Sequence, residues 1–320
     1  MTRSFVAGGA GFIGSHLTRA LLDRADQDVV VFDNFVSGGK SHLDGLLDDP
    51  RLDLVVADLQ ELDSVVAAMD GVDHVYLFAA NPDIAAATTD PGIDFWQGTL
   101  LTHNVIEAMR LTGVSRITYA SGSGVYGDRG ADEVDEEFGP LIPVSTYGAS
   151  KLGCEALLAA YAHMFGFDAV VFRFANVVGD KQTHGITYDF VRRLLKDRVR
   201  LQILGDGSQS KSYIHVSDVV SAMLTLTDRD WHGFDVFNAG TGDYVTVKEI
   251  ADLVIARMGL EDVQYEYTGG SRGWKGDVPI VRFRSEKLAA LGWRCTHTSI
   301  EALTASIDAN IVEAAGELGT

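Results

Sequence analysis

The chain has 320 residues, 46% of them hydrophobic and 22% charged, a balance that supports a sizeable core and excludes the disordered class. Length alone fits one large α/β domain or two smaller ones. A formal net charge of −19 argues against nonspecific attraction to nucleic acid or an anionic membrane, so an anionic ligand must be met by basic side chains concentrated locally.

Cys154 and Cys295 lie far apart without a CxxC or His-rich companion, which predicts neither a disulfide framework nor a metal site. The opening MTRSFVAGGAGFIG is broken by glycines and lacks a signal-peptide h-region. No run of about 18 apolar residues suggests a membrane span. The expected location is cytoplasmic.

Short apolar runs alternate with amphipathic ones in chain order. Strands are expected at Ser4 to Ala7, Asp28 to Phe32, Leu52 to Ala57, His74 to Ala79 and Arg116 to Ala120, and helices at Ile13 to Arg24, Leu62 to Met69 and Thr102 to Leu111. This alternation, with continuous apolar strands, predicts a doubly wound parallel sheet covered on both faces. A helix Tyr147 to Phe165 and a strand Ala169 to Phe172 continue the pattern. Beyond Val177 it loosens into a helix Tyr188 to Lys196, a Gly-Asp-Gly turn at 205–207, a helix Val216 to Leu226, a strand Phe234 to Asn238, a loop-rich stretch Gly259 to Trp274 and a last helix Ser299 to Ala315. The expected organisation is a first domain at 1–176 with a returning segment near 213–252, and a smaller discontinuous lobe from 177–212 and 253–320.

The spacing Gly9-x-Gly11-x-x-Gly14 sits between the first strand and the first helix, and Asp33 closes the second strand 19 positions after Gly14. Glycines there make the tight turn, let the backbone approach a pyrophosphate and bring helix and strand together, while the helix N-terminus attracts phosphate. An acid at Asp33 accepts hydrogen bonds from ribose hydroxyls and repels a 2′-phosphate, favouring NAD over NADP. A lone GxGxxG is weak; strand, helix and acid in register make this a Rossmann unit. Asp58-Leu59 after the third strand either faces the adenine or caps the next helix.

Tyr147 and Lys151, four apart, share one helical face. Lysine stabilises a phenolate and so is expected to lower the tyrosine pKa, giving a base that takes a proton from a sugar hydroxyl while hydride leaves for the nicotinamide. An isolated YxxxK is more often a surface pair.

GGAGFIG, Phe32-Asp33, Asp58-Leu59, VYG at 125–127, Tyr147-Gly148-Ala149-Ser150-Lys151, Arg173 to Val177, Gly205-Asp206-Gly207 with Gln209, and Asn238-Ala239-Gly240 occur in the order seen in extended short-chain dehydrogenases/reductases. The set resembles the nucleotide-sugar epimerase/dehydratase branch and spans nearly the whole chain. The resemblance implies a Rossmann core that holds NAD through Gly8, Gly11, Phe12, Ile13, Gly14, Asp33, Asn34, Asp58, Leu59, Ala79, Ala80, Ser121, Tyr147 and Lys151. It implies a nucleoside-diphosphate sugar as substrate, contacted by Ser123, Tyr147 and, near the diphosphate, Asn176. It also implies a homodimer through helices Thr102 to Leu111 and Tyr147 to Phe165.

Departures from the family pattern narrow the reaction. Gly122 stands where a Ser or Thr is usual, so the substrate-holding hydroxyl is expected from Ser123, or else Ser121. Ser123 and Gly124 occupy the positions of the Asp-Glu pair of the resembling 4,6-dehydratases, and the glutamate of related decarboxylases is missing there too. Epimerisation at C4 needs neither group. The usual arginine after Gln-x is Lys211, and Arg272 and Lys275 flank the place of another; lysine supplies a point charge without the bidentate fork. Gly98 stands where an asparagine is common, and His184 is a weaker candidate for the sugar pocket. The expectation is a 4-epimerase of the UDP-glucose/UDP-galactose type with Tyr147, Lys151 and Ser123 catalytic. The alternatives are another nucleotide-sugar epimerase, a 4-ketoreductase or a dehydratase of the family, or a noncatalytic NAD-binding sensor on the same fold.

Overall fold

The computed structural model describes residues 1–318, so the last two positions of the expected 253–320 segment lie outside the described residues. In chain order the elements are β1 (Thr2–Ala7), α1 (Phe12–Leu22), β2 (Gln27–Asp33), β3 (Leu52–Val56), α2 (Leu62–Ala68), β4 (His74–Leu77), α3 (Leu100–Thr112), β5 (Arg116–Gly122), α4 (Thr146–Phe165) and β6 (Asp168–Phe174). There follow β7 (Asn176–Val178), α5 (Ile186–Lys196), β8 (Arg200–Ile203), β9 (Ser210–Lys211), β10 (Tyr213–His215), α6 (Val216–Thr227), β11 (Phe234–Ala239), β12 (Val245–Thr246), α7 (Val247–Arg257), β13 (Gln264–Tyr267), α8 (Glu286–Ala290) and α9 (Ser299–Leu318).

Seven strands form one sheet in the order β11-β6-β5-β4-β1-β2-β3. The registers of β1 with β2 and β4, of β2 with β3 and of β4 with β5 are all parallel. The order reverses between β1 and β4, and the carboxyl ends of strands beside such a switch point are where doubly wound sheets bind ligands. Phe5, Ala7, Val30 and Phe32 from the strands pack with Val105, Ile106 and Met109 of α3 and with Cys154 and Leu158 of α4. The apolar runs that predicted buried strands therefore face helices, as a covered parallel sheet requires.

The chain divides into two compact units: residues 1–125, 146–173 and 220–237 in the first, and 126–145, 174–219 and 238–318 in the second. The segment that returns to the first unit is thus narrower than 213–252, and residues 126–145 belong with the second. That second unit has its own core, in which Phe190, Val191 and Leu194 of α5 meet Ile250 and Val254 of α7 and Leu303 and Ile307 of α9.

Several elements there were not foreseen, β13 and α7 among them. The stretch Gly259 to Trp274 contains β13, paired in parallel with β8; four residues of Gln-Tyr-Glu-Tyr are too few and too polar to announce a strand. Helix α7 begins at a capping box, with Thr246 Oγ1 accepting from the Glu249 N–H and the Glu249 carboxylate accepting from the Thr246 N–H. That Thr-x-x-Glu spacing is visible in the sequence. Among the described residues no helix is long and apolar enough to cross a membrane.

Candidate active site

The glycine turn after β1 is sterically obligatory. Gly8 has φ +79°, and a Cβ there would lie 2.9 Å from the Ala79 nitrogen. A Cβ on Gly14 would stand 2.1 Å from the Gly8 carbonyl oxygen, so that no side chain fits where α1 crosses β1. Gly11 is the N-cap of α1 and offers no side-chain cap, which leaves the first N–H groups of α1, from Phe12 and Ile13 onward, for an outside acceptor. Asp33 ends β2 and is buried. Its Oδ2 accepts from the Ala10 N–H at 2.9 Å and its Oδ1 from the Phe35 N–H at 2.8 Å, and each oxygen keeps acceptor capacity. Asn34 donates to Asp58 Oδ2 at 3.1 Å, joining the ends of β2 and β3. Leu59 is buried and its carbonyl accepts from Asn104. Ala79 and Ala80, after β4, are partly exposed. An uncapped helix start, a cradle that only glycine fills and a carboxylate at the end of the next strand suit a dinucleotide.

Tyr147 and Lys151 stand in the first turns of α4, Tyr147 half-buried and Lys151 buried. The Lys151 ammonium donates to the Ala120 carbonyl at 2.7 Å and lies 4.8 Å from the ring centre of Tyr119 and 5.6 Å from that of Tyr147. The expected fall in the tyrosine pKa does not occur in the protein alone. Burial, reinforced by the charge of Asp94, pushes the Tyr147 phenol up to about 12, whereas burial pulls the Lys151 ammonium down to about 8. Desolvation penalises both charged forms.

Ser123 opens a single turn of 3₁₀ helix, Ser123–Tyr126, and is partly exposed. Ser121 is buried and its hydroxyl is already committed, donating to Glu155 Oε1 at 2.6 Å. Glu155 in turn receives Arg173 at 2.7 Å, with both side chains about 5% exposed or less. This sealed group escaped the sequence reading, as did the buried Asp94, which binds Asn81 and Thr146 just before Tyr147.

The expected substrate residues of the second unit are placed as follows. Asn176 begins β7 and donates to the Ser212 carbonyl at 3.3 Å. Lys211 is ion-paired with Asp277 at 2.7 Å. Arg272 is paired with Asp128 at 2.5 Å and also donates to the Asp277 carbonyl. The structure thus joins Lys211 and Arg272 through Asp277. Lys275 is exposed, and so is His184, whose ring lies 3.3 Å from the Thr183 hydroxyl.

A Rossmann sheet with an uncapped glycine turn and a Tyr-x-x-x-Lys pair on the helix after β5 defines a nucleotide-dependent oxidoreductase-type unit. The chain belongs to the NAD-dependent epimerase/dehydratase family, whose model matches residues 4–240. Among solved structures, a UDP-galactose 4-epimerase is 36% identical with a TM-score of 0.85, over 98% of this chain and 99% of its own. A dTDP-glucose 4,6-dehydratase from Streptomyces venezuelae, solved with NAD bound, is 26% identical with a TM-score of 0.90, over 99% of this chain and 98% of its own. A UDP-glucose 4-epimerase of Mycolicibacterium smegmatis is 32% identical over 81% of this chain and 84% of its own. The cofactor of the family is NAD.

Proposed function

We propose that the protein interconverts the C4 epimers of a nucleoside-diphosphate sugar of the UDP-glucose/UDP-galactose type. The observation that carries this reading is the 3₁₀ turn after β5, which bears Ser123 and Gly124 where elimination of water would call for an acid and a base; a Cβ on Gly124 would lie 3.7 Å from the Cα of Gly148, the neighbour of Tyr147. The similarity to 4-epimerases supports it.

Gly8, Gly11, Phe12, Ile13 and Gly14 would hold the pyrophosphate of NAD, Asp33 and Asn34 the adenosine ribose, Asp58 and Leu59 the adenine side, and Ala79, Ala80 and Ser121 the wall behind it. Bound there, NAD supplies a reversible hydride acceptor and a positive charge. In this mechanism Ser123 orients the sugar C4 hydroxyl and Tyr147 takes its proton. Lys151 stabilises the Tyr147 phenolate that acts as this base, and the neutral phenol so formed returns the proton once the 4-keto sugar has turned over. Asn176, Lys211, Arg272 and Lys275 hold the diphosphate, so that the sugar can rotate without escaping. Since the hydroxyl of Ser121 is bound to Glu155, the orienting role falls to Ser123.

The exposed Phe95, Trp96, Leu111, Met164 and Phe165, on or next to α3 and α4, favour a homodimer through these helices, and the proposed location is the cytoplasm. A dimer mass in sedimentation is expected; a monomer at micromolar concentration would overturn the pairing. The reaction is tested by supplying UDP-glucose to purified protein without added NAD. UDP-galactose should form, and Tyr147→Phe should slow it by roughly 10²- to 10⁴-fold. Full activity of that variant would sink the mechanism. Turnover only with GDP-, CDP- or dTDP-sugars would move the substrate, and none with any of them would favour an NAD-binding sensor.

A further inference from the structure

Asp94 lies ahead of α3 and is 2% exposed. Its Oδ1 accepts from Asn81 Nδ2 at 2.9 Å and its Oδ2 from the Thr146 hydroxyl at 2.7 Å. Its backbone carbonyl accepts from the Ser150 hydroxyl at 2.8 Å, and Ser150 Oγ is also 2.9 Å from Thr99 Oγ1. Thr146 and Ser150 bracket Tyr147 on one turn of α4, so one residue grips that turn at both ends. Gly98 belongs to the same arrangement. It sits in the π-helical turn Phe95–Thr99, and a Cβ there would stand 2.4 Å from Ser150 Oγ. Any side chain at position 98 would turn the Ser150 hydroxyl away from Asp94.

A buried carboxylate held by neutral hydrogen-bond donors keeps much of its field, because those donors carry no opposite charge and little water screens it. We propose that Asp94 is the positioning residue of Tyr147: it pins the turn that carries the phenol through Thr146 and Ser150, and it sets a fixed negative charge beside the proton to be moved. The inference rests on the proposed role of Tyr147 as the base. The titratable groups acting around that phenol are Lys151 and Cys154 on α4, Tyr119 on β5 and Asp94 itself. Burial and Asp94 oppose the phenolate while the positive charge of Lys151 favours it, which keeps the phenol protonated until a further positive charge enters the site.

Asp94→Asn keeps the shape and both hydrogen bonds, since the amide oxygen accepts from Asn81 and the amide nitrogen donates to Thr146; only the charge is lost. The phenolate absorbance step that disappears in Tyr147→Phe should move to lower pH by about half a unit to one unit, as for a nearby unit charge in a partly solvated site. The acid limb of kcat/KM should move with it. Thr146→Val combined with Ser150→Ala keeps the charge but releases the grip, and should lower kcat several-fold while leaving that titration in place. An unmoved or upward-moving phenolate step in Asp94→Asn overturns the electrostatic role. Unchanged kcat in the double variant overturns the positioning role, and remains decisive if Asp94→Asn fails to fold. Should the wild-type protein turn over no nucleotide sugar while the phenolate step still moves, the proposed reaction is wrong and the electrostatic role of Asp94 stands.

Discussion

In the first unit, Arg173 and Glu155 are sealed together, 5% and 4% exposed, with Ser121 completing the group. In the second unit, Arg272 and Asp128 are 37% and 30% exposed, and Lys211 and Asp277 are 23% and 9% exposed. Buried charges bound to each other cannot exchange partners without a large desolvation cost, so the first arrangement fixes geometry. Partly solvated pairs are each worth little, so the second can trade a carboxylate for another anion. Lys151 belongs to neither class: buried, it is hydrogen-bonded to a carbonyl and lies near two aromatic rings, with Glu155 and Asp94 acting on its charge through space.

The sharpest break between the two arrangements should come from Arg173→Met. It leaves the Glu155 carboxylate buried with Ser121 but without its arginine, and a loss of about 3–5 kcal/mol of unfolding free energy is expected, measured by urea denaturation. Removing an exposed partner in the second unit, as in Asp128→Asn, should cost less than about 1 kcal/mol. If the two variants lost similar amounts, the distinction between a sealed pair and an exchangeable one would fail.

The same contrast separates what the sequence makes readable from what it does not. The glycine turn and the Tyr147/Lys151 pair are local, set by spacings of three or four residues on one turn or one helical face, and their meaning travels with the spacing. Asp94 reaches Thr146 across 52 positions, Arg173 reaches Glu155 across 18, and Lys211 reaches Asp277 across 66. No periodicity encodes such pairings; the sheet order and the helix crossings create them. The acid balance hinted that local cations would matter, but only the folded chain shows that Lys211 and Arg272 already have carboxylate partners. The sign of the Tyr147 shift was missed for a related reason. Charge type and spacing are visible along a chain, whereas desolvation is a property of the fold. Gly98, which reads as a lost asparagine in the sequence, acquires a reason once Ser150 Oγ is seen to fill the space of its Cβ.

A smaller effect tests whether the exchangeable pair serves the substrate. If Arg272 grips the diphosphate, Asp128 competes with that diphosphate for the guanidinium in the free protein. Asp128→Asn should therefore tighten binding of UDP several-fold in calorimetry, because the competing carboxylate is gone and the arginine is retained. Arg272→Ala should weaken binding and raise the substrate KM by at least several-fold. In the double variant the gain from Asp128→Asn should vanish, since nothing is left to release. Tightening that persisted without Arg272 would mean that Asp128 simply repels the phosphates through space. Weakened binding in Asp128→Asn would mean that the carboxylate aims the guanidinium, as the partner of a bidentate cation often must; the ion pair would then be part of the binding geometry, and the second unit would resemble the first more closely than their exposures suggest.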